Sequence, residues 1–134
     1  MLFIARIIAV VILVFGLLGC SGLGIKRPSV ESAALMDVGT TAIGLSRGAV
    51  ELNPLGFWGT TIAKLYYLYG LRPEYDPATR VEMDSWLTGV FVGASVNNVI
   101  QIIWAPHLAI SAAMGMIVGY STYHSTPAES LTRP

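Results

Sequence analysis

The pattern of apolar and polar positions divides the chain into blocks. Residues 1 to 19, MLFIARIIAVVILVFGLLG, set one charge, Arg6, ahead of a long apolar run. Gly22 to Ser32 is mixed, with Lys26, Arg27 and Pro28, and reads as a tether. Four apolar segments follow, long enough for helices. They are expected over Ala33 to Ala49, Pro54 to Tyr69, Asp84 to Trp104 and His107 to Tyr123. Asn53-Pro54 is a start signal, since Asn caps free amides and Pro at the first helical position has no N–H to leave unpaired. Arg72 to Pro77, with two prolines, reads as the solvated loop. Ser125 to Pro134 is a polar tail. The expected fold is all-α: a small helical membrane bundle of about four helices behind an N-terminal signal or anchor helix.

From Ser85 to Ala128 there is no Asp, Glu, Lys or Arg, and Ala105-Pro106 interrupts the stretch near its middle. Two apolar helices in a hairpin are the expectation. Gly89 and Gly93 lie four apart before the break, and Ser111, Gly115 and Gly119 repeat that spacing after it. Small residues so spaced let helix backbones approach in lipid. Counted from the turn, Gly93 and Gly115 share a depth of roughly 15 to 18 Å, which allows them to face each other.

Composition agrees with lipid as the solvent. Only 12% of the 134 residues are charged, against about 25% in soluble domains, and the mean hydropathy is +0.63. The length has room for one domain. A net charge of zero with scattered Lys and Arg supplies no basic stripe for phosphates, so nucleic acid is not the expected partner. Membrane lipid is, with a second copy or another envelope protein as further partners.

The chain has one cysteine, Cys20, at the end of the first apolar run. An internal disulfide is therefore impossible. Leu17-Leu18-Gly19-Cys20 resembles the bacterial lipobox, whose cysteine is diacylated before the peptide bond ahead of it is cut. The expectation is a signal peptide over residues 1–19, lipidation at Cys20, a tether over 20–32, a helical domain over 33–124, and location in the bacterial cell envelope. The alternative is an uncleaved transmembrane helix, for which about eighteen apolar residues suffice.

Polar residues inside the apolar segments are the candidate chemistry. Asp37, Thr40 and Thr41 fall in the first predicted helix, Lys64 in the second, and Asn97 and Asn98 in the third. If the first two helices turn back near Leu52, Asp37 lies about 22 Å and Lys64 about 18 Å from that turn. Burying either charge alone costs several kcal/mol, so the two are expected to pair. The same arithmetic puts Asn97 and Asn98 nearer Glu51 and Asn53, with Gln101 as a further amide. The resulting seam admits two readings: glue that fixes helix packing, or a site for an ion or small solute. His107 reads as a turn residue, and Tyr66, Tyr67, Tyr69 and Trp104 as interfacial rings. No nucleophile, metal or phosphate-binding constellation is present in the sequence, so an enzyme, a cofactor and a metal are not expected.

Met36-Asp37-Val38-Gly39-Thr40-Thr41, then Gly48-Ala49-Val50-Glu51-Leu52-Asn53-Pro54, then Lys64 resembles a family of small multi-pass bacterial and archaeal proteins known only as domain of unknown function 5658. The likeness covers roughly residues 35–104. It implies a helical membrane fold and no assigned activity. The lipobox is an addition to the family pattern.

Two expectations collide. Acylated Cys20 lies outside the cytoplasm, and four spans would then leave Lys26, Arg27, Arg72, Arg80 and Arg133 outside with only Arg47 inside, against the positive-inside rule. Either the first helix is uncleaved and inverted, or the body is a compact helical periplasmic domain held by lipid. Leu35, Val38, Ala42, Leu45 and Ala49 recur as one helical face, which favours the compact domain. The charge-free stretch favours spanning. The expected role is structural or interactive, with solute binding along the seam as the alternative.

Overall fold

Ser29 opens the first helix. Its side chain accepts from Ser32 N at 3.2 Å, which satisfies one of the amides that a helix start leaves free. The computed structural model describes residues 27–50, 54–104 and 108–125. Within them lie four helices: α1 (Val30–Ser46), α2 (Gly56–Tyr66), α3 (Pro77–Trp104) and α4 (Leu108–His124). A π turn over Tyr67–Leu71 and a 3-10 turn over Arg72–Glu74 prolong α2. Among the described residues the fold is an all-α bundle without strands.

The observed boundaries correct those expected, and each correction has a local cause. α1 begins three residues before Ala33 because Ser29 caps it, so the end of the supposed tether belongs to the body; Val30 is 3% exposed. It ends at Ser46 rather than Ala49 because Gly48 takes φ +86°. That conformation lets Gly48 N bond Leu45 O and Ala49 N bond Gly44 O, each at 3.0 Å, a Schellman closure that suits glycine. α2 begins at Gly56, since Pro54 and Leu55 form a turn and Gly56 itself has φ +62°. α3 begins at Pro77, not Asp84. Asp76 is its cap, with Oδ1 accepting from Ala78 N at 3.0 Å and Thr79 N at 3.1 Å, and Pro77 occupies the first position.

The helices run up, down, up and down. Arg27 bonds Ser85 and Thr41 bonds Asn98 with almost the same sequence separation, 58 and 57 residues, so α1 and α3 are parallel and in register. α4 returns antiparallel, with Gly119 against Gly89 and Gly115 against Gly93. α3 is the central helix, packed between α1 and α4, and from Ser85 to Val96 its exposed residues are Trp86 and Val90.

What occupies the interior is unusual for a bundle in water. The largest fully buried side chains are Ile100, Val118, Thr88, Ser95 and Ser111, and Ala33 and Ala34 fill the α1 side. Val30, Tyr67, Phe91, Val92 and Val96 are buried as well, yet many large apolar groups point outward: Leu35 and Trp58 are each 73% exposed and Met116 is 70% exposed. Of the face read as amphipathic, Leu35, Ala42 and Ala49 are exposed and Val38 and Leu45 half-buried, so that stripe lies at the edge of the α1 contact rather than at its centre. The inner face of α1 is Val30, Ala33, Ala34, Asp37 and Gly44. One helix, α3 from Pro77 to Ile103, is long and apolar enough to cross a membrane.

Candidate functional site

Asp37 and Lys64 meet in the middle of the bundle, where α1 and α2 pass in opposite directions. Lys64 Nζ stands 2.8 Å from Asp37 Oδ2, with side-chain exposures of 12% and 10%. The ammonium also lies 5.4 Å from the centre of the Phe91 ring on α3, within reach of a cation–π attraction. The pairing expected from hairpin arithmetic is present.

Asn98 comes to the pair, which corrects its expected place. Its Nδ2 lies 3.3 Å from Asp37 Oδ1, 3.3 Å from Thr40 Oγ1 and 2.8 Å from Thr41 Oγ1. The first two turns of α3 project below α1, and the 57-residue register then sets Asn98 against Thr41. Thr40 also donates to Met36 O at 2.9 Å, so its hydroxyl is satisfied whether or not Asn98 stays. Glu51, Asn53, His107 and Cys20 lie outside the described residues.

Asn97 parts company with Asn98. One residue on is a rotation of roughly 100° around a helix, and Asn97 faces α4, where its Cβ would lie 3.2 Å from a Cβ built on Gly115. Its Oδ1 is buried without a hydrogen-bond partner among the described residues. Gln101 also serves the α4 side, donating Nε2 to Ser111 Oγ. The expected seam thus divides between the α1-facing and the α4-facing sides of α3.

Glycines make the α4 flank. A Cβ on Gly93 would stand 2.6 Å from Gly115 O, and one on Gly115 would stand 2.5 Å from Gly93 O. Gly89 and Gly119 repeat the relation at 2.7 and 2.6 Å. No side chain fits there. The reciprocal approach of Cα–H groups to carbonyls recurs at close helix crossings.

A second polar cluster at the lower end was not foreseen. Arg72, expected in a solvated loop, bonds both oxygens of Asp84 through Nε and Nη2 at 2.8 to 3.0 Å and reaches Glu31 Oε1 at 2.7 Å through Nη1. Tyr67 donates to Asp84 Oδ1 at 2.8 Å and is buried rather than interfacial. Arg27 donates to Ser85 O at 2.8 Å. One guanidinium thus ties α1, the end of α2 and α3. The available signal was scarcity: in a chain with so few charges, Glu31, Arg72 and Asp84 each had to find a partner or water.

Two cavities flank the charged pair. One of about 490 Å³ is lined by Asp37, Lys64 and Asn98 together with Met83, Leu87 and Phe91. Another of about 390 Å³ lies above it, between α1 and α3, beside Thr40, Thr41 and Gln101. Among the described residues no group of three or more His, Cys, Asp or Glu could hold a metal ion.

Architecture and site define a class, a small four-helix bundle with a charged pair inside an apolar body. Beyond that class, no family, curated protein or solved structure matches the chain.

Proposed function

We propose that this protein is an integral membrane protein of the bacterial envelope, lipid-anchored at Cys20, with a structural or interaction role. The observation that supports it is the placement of small polar and large apolar side chains. Ser85, Thr88, Ser95, Ser111 and two alanines share the interior with Val, Ile, Phe and Tyr side chains, while Leu35, Trp58, Ile62, Met116 and Tyr120 are each at least 63% exposed. In water, burial of large apolar groups drives folding; in lipid that drive vanishes between helices, and small residues in close contact replace it. The charge-free length of α3 from Ser85 to Ile103 extends about 28 Å, close to the roughly 30 Å hydrocarbon core. Arg27, Glu31, Arg72 and Asp84 then sit together at one boundary. Membership of the family that the Asp, Glu-x-Asn-Pro, Lys order resembles is part of the same reading.

Palmitate labelling and sodium carbonate extraction test anchor and insertion together. Wild type is expected to carry label, Cys20→Ala to carry none, and both to stay in the carbonate-resistant pellet. Release into the supernatant of a variant that lacks residues 1–20 and is exported by a cleavable signal would instead identify a compact domain held by its anchor alone.

A second reading is favoured by the 490 Å³ cavity beside Asp37 and Lys64, within the range of small-molecule sites. In it the seam binds a small solute. A solute-dependent rise in melting temperature is the expected outcome.

A further inference from the structure

We infer that the cavity between α2 and α3 is a site for a small zwitterion with an apolar body, of which an apolar α-amino acid is the type. The inference rests on the solute-binding reading of the seam. It begins with the unused capacity of the charged pair. Asp37 Oδ2 receives Lys64 at 2.8 Å, but Oδ1 has among the described residues only the amide of Asn98 at 3.3 Å. That amide has two hydrogens for three acceptors, the other two being Thr40 Oγ1 and Thr41 Oγ1. Lys64 has three N–H groups, and among the described residues its contacts are the Asp37 carboxylate and the Phe91 face. Each partner therefore holds one strong contact, and both line the same cavity.

Neutrality then selects the ligand. A lone cation on Asp37 would compete with Lys64 and leave net positive charge in an apolar body; a lone anion on Lys64 would do the reverse. Uncompensated charge in such surroundings is costly. A molecule whose ammonium and carboxylate hang from one carbon carries the opposite dipole in a span about as short as the ion pair itself. Laid beside the pair, it places ammonium on Asp37 Oδ1 and carboxylate on Lys64 Nζ without breaking the existing bridge, and the net charge stays zero. Leu71, Met83, Leu87 and Val90 line the same cavity and suit an aliphatic side chain. α2 has no buried residue of its own, and the turn that follows it packs Tyr67, Leu68 and Leu71 against the core.

The test uses full-length protein purified in detergent and melted with three probes: L-leucine, L-leucinamide, which keeps only the ammonium, and N-acetyl-L-leucine, which keeps only the carboxylate. Saturating L-leucine is expected to raise Tm by ~5 °C or more, with no comparable shift from either analogue. Asp37→Asn combined with Lys64→Met keeps a neutral, similarly shaped pair and should abolish the leucine shift while retaining helical circular dichroism. Equal shifts from leucine and one singly charged analogue would overturn the zwitterion but leave a solute-binding seam. No shift from any probe in the wild type would overturn both, whatever the variants do. Persistence of the shift in a folded double variant would move the ligand away from this pair.

Discussion

Asp37 and Lys64 show how much a single contact weighs in this molecule. Each is largely removed from water and each has the other at 2.8 Å, so loss of one strands the other. Asp37→Asn or Lys64→Met alone should destabilise by roughly 3 to 5 kcal/mol, and the two together should recover much of that, because no charge is left unpaired. A double-mutant cycle from unfolding in mixed micelles measures the coupling; a value near zero would show that the pair is geometric only. Arg72 poses a different case, being 30% exposed at its side chain. Its loss should cost about 1 to 2 kcal/mol, after discount for solvent screening. Arg72→Lys should restore little of it, since a point charge cannot engage both Asp84 oxygens and Glu31 at once. Comparison of the Met and Lys variants at that position decides it.

At the scale of elements, the α3–α4 contact is set by backbone rather than side chains. Any Cβ at Gly93 or Gly115 meets a carbonyl at 2.6 Å or less, and neither helix can yield without moving as a whole. Gly93→Leu and Gly115→Leu should each destabilise by at least the roughly 1 to 3 kcal/mol of overpacking, read as loss of Tm in detergent. Unchanged melting of both would mean that the hairpin is looser than described. The start of α3 responds to pH instead. Hydrogen bonds from the Thr79 side chain and backbone hold the Asp76 carboxyl below its ordinary range. A depressed pKa stabilises the helix start above the ordinary Asp value and loses that contribution as pH falls through the lowered one. Protection of the Ala78 and Thr79 amides, relative to their intrinsic exchange rates, should therefore fall in that acidic window, and Asp76→Ala should show low protection at every pH.

For the whole molecule, the decisive question is what covers Trp58 and Trp86, 73% and 54% exposed. In lipid bilayers, acyl chains brominated near mid-depth should quench their fluorescence, as measured in variants that keep one Trp at a time. Full quenching by aqueous iodide in place of bromolipid would place both rings in water.

Helix-forming segments, the charge-free hairpin, the glycine register and the Asp37–Lys64 pairing were all legible in the sequence, because each follows from spacing along one helix or across one turn. Ser29, Gly48 and Asp76-Pro77 were equally legible as caps, and reading them would have corrected the helix boundaries. Other features depended on the assembled bundle. Which flank of α3 receives Asn97 and which receives Asn98 depends on the rotation of α3 between two neighbours, and neighbouring residues on a helix diverge by more than a quarter turn. The Glu31–Arg72–Asp84 cluster unites residues separated by 41 and 12 positions, a meeting that exists only once α1 and α3 lie parallel. The placement of the apolar stripe on α1 was decided in the same way. Periodicity identifies an apolar stripe, but whether that stripe turns toward protein or away from it depends on which contacts pack more closely, and here the close contacts belong to alanine, glycine and serine.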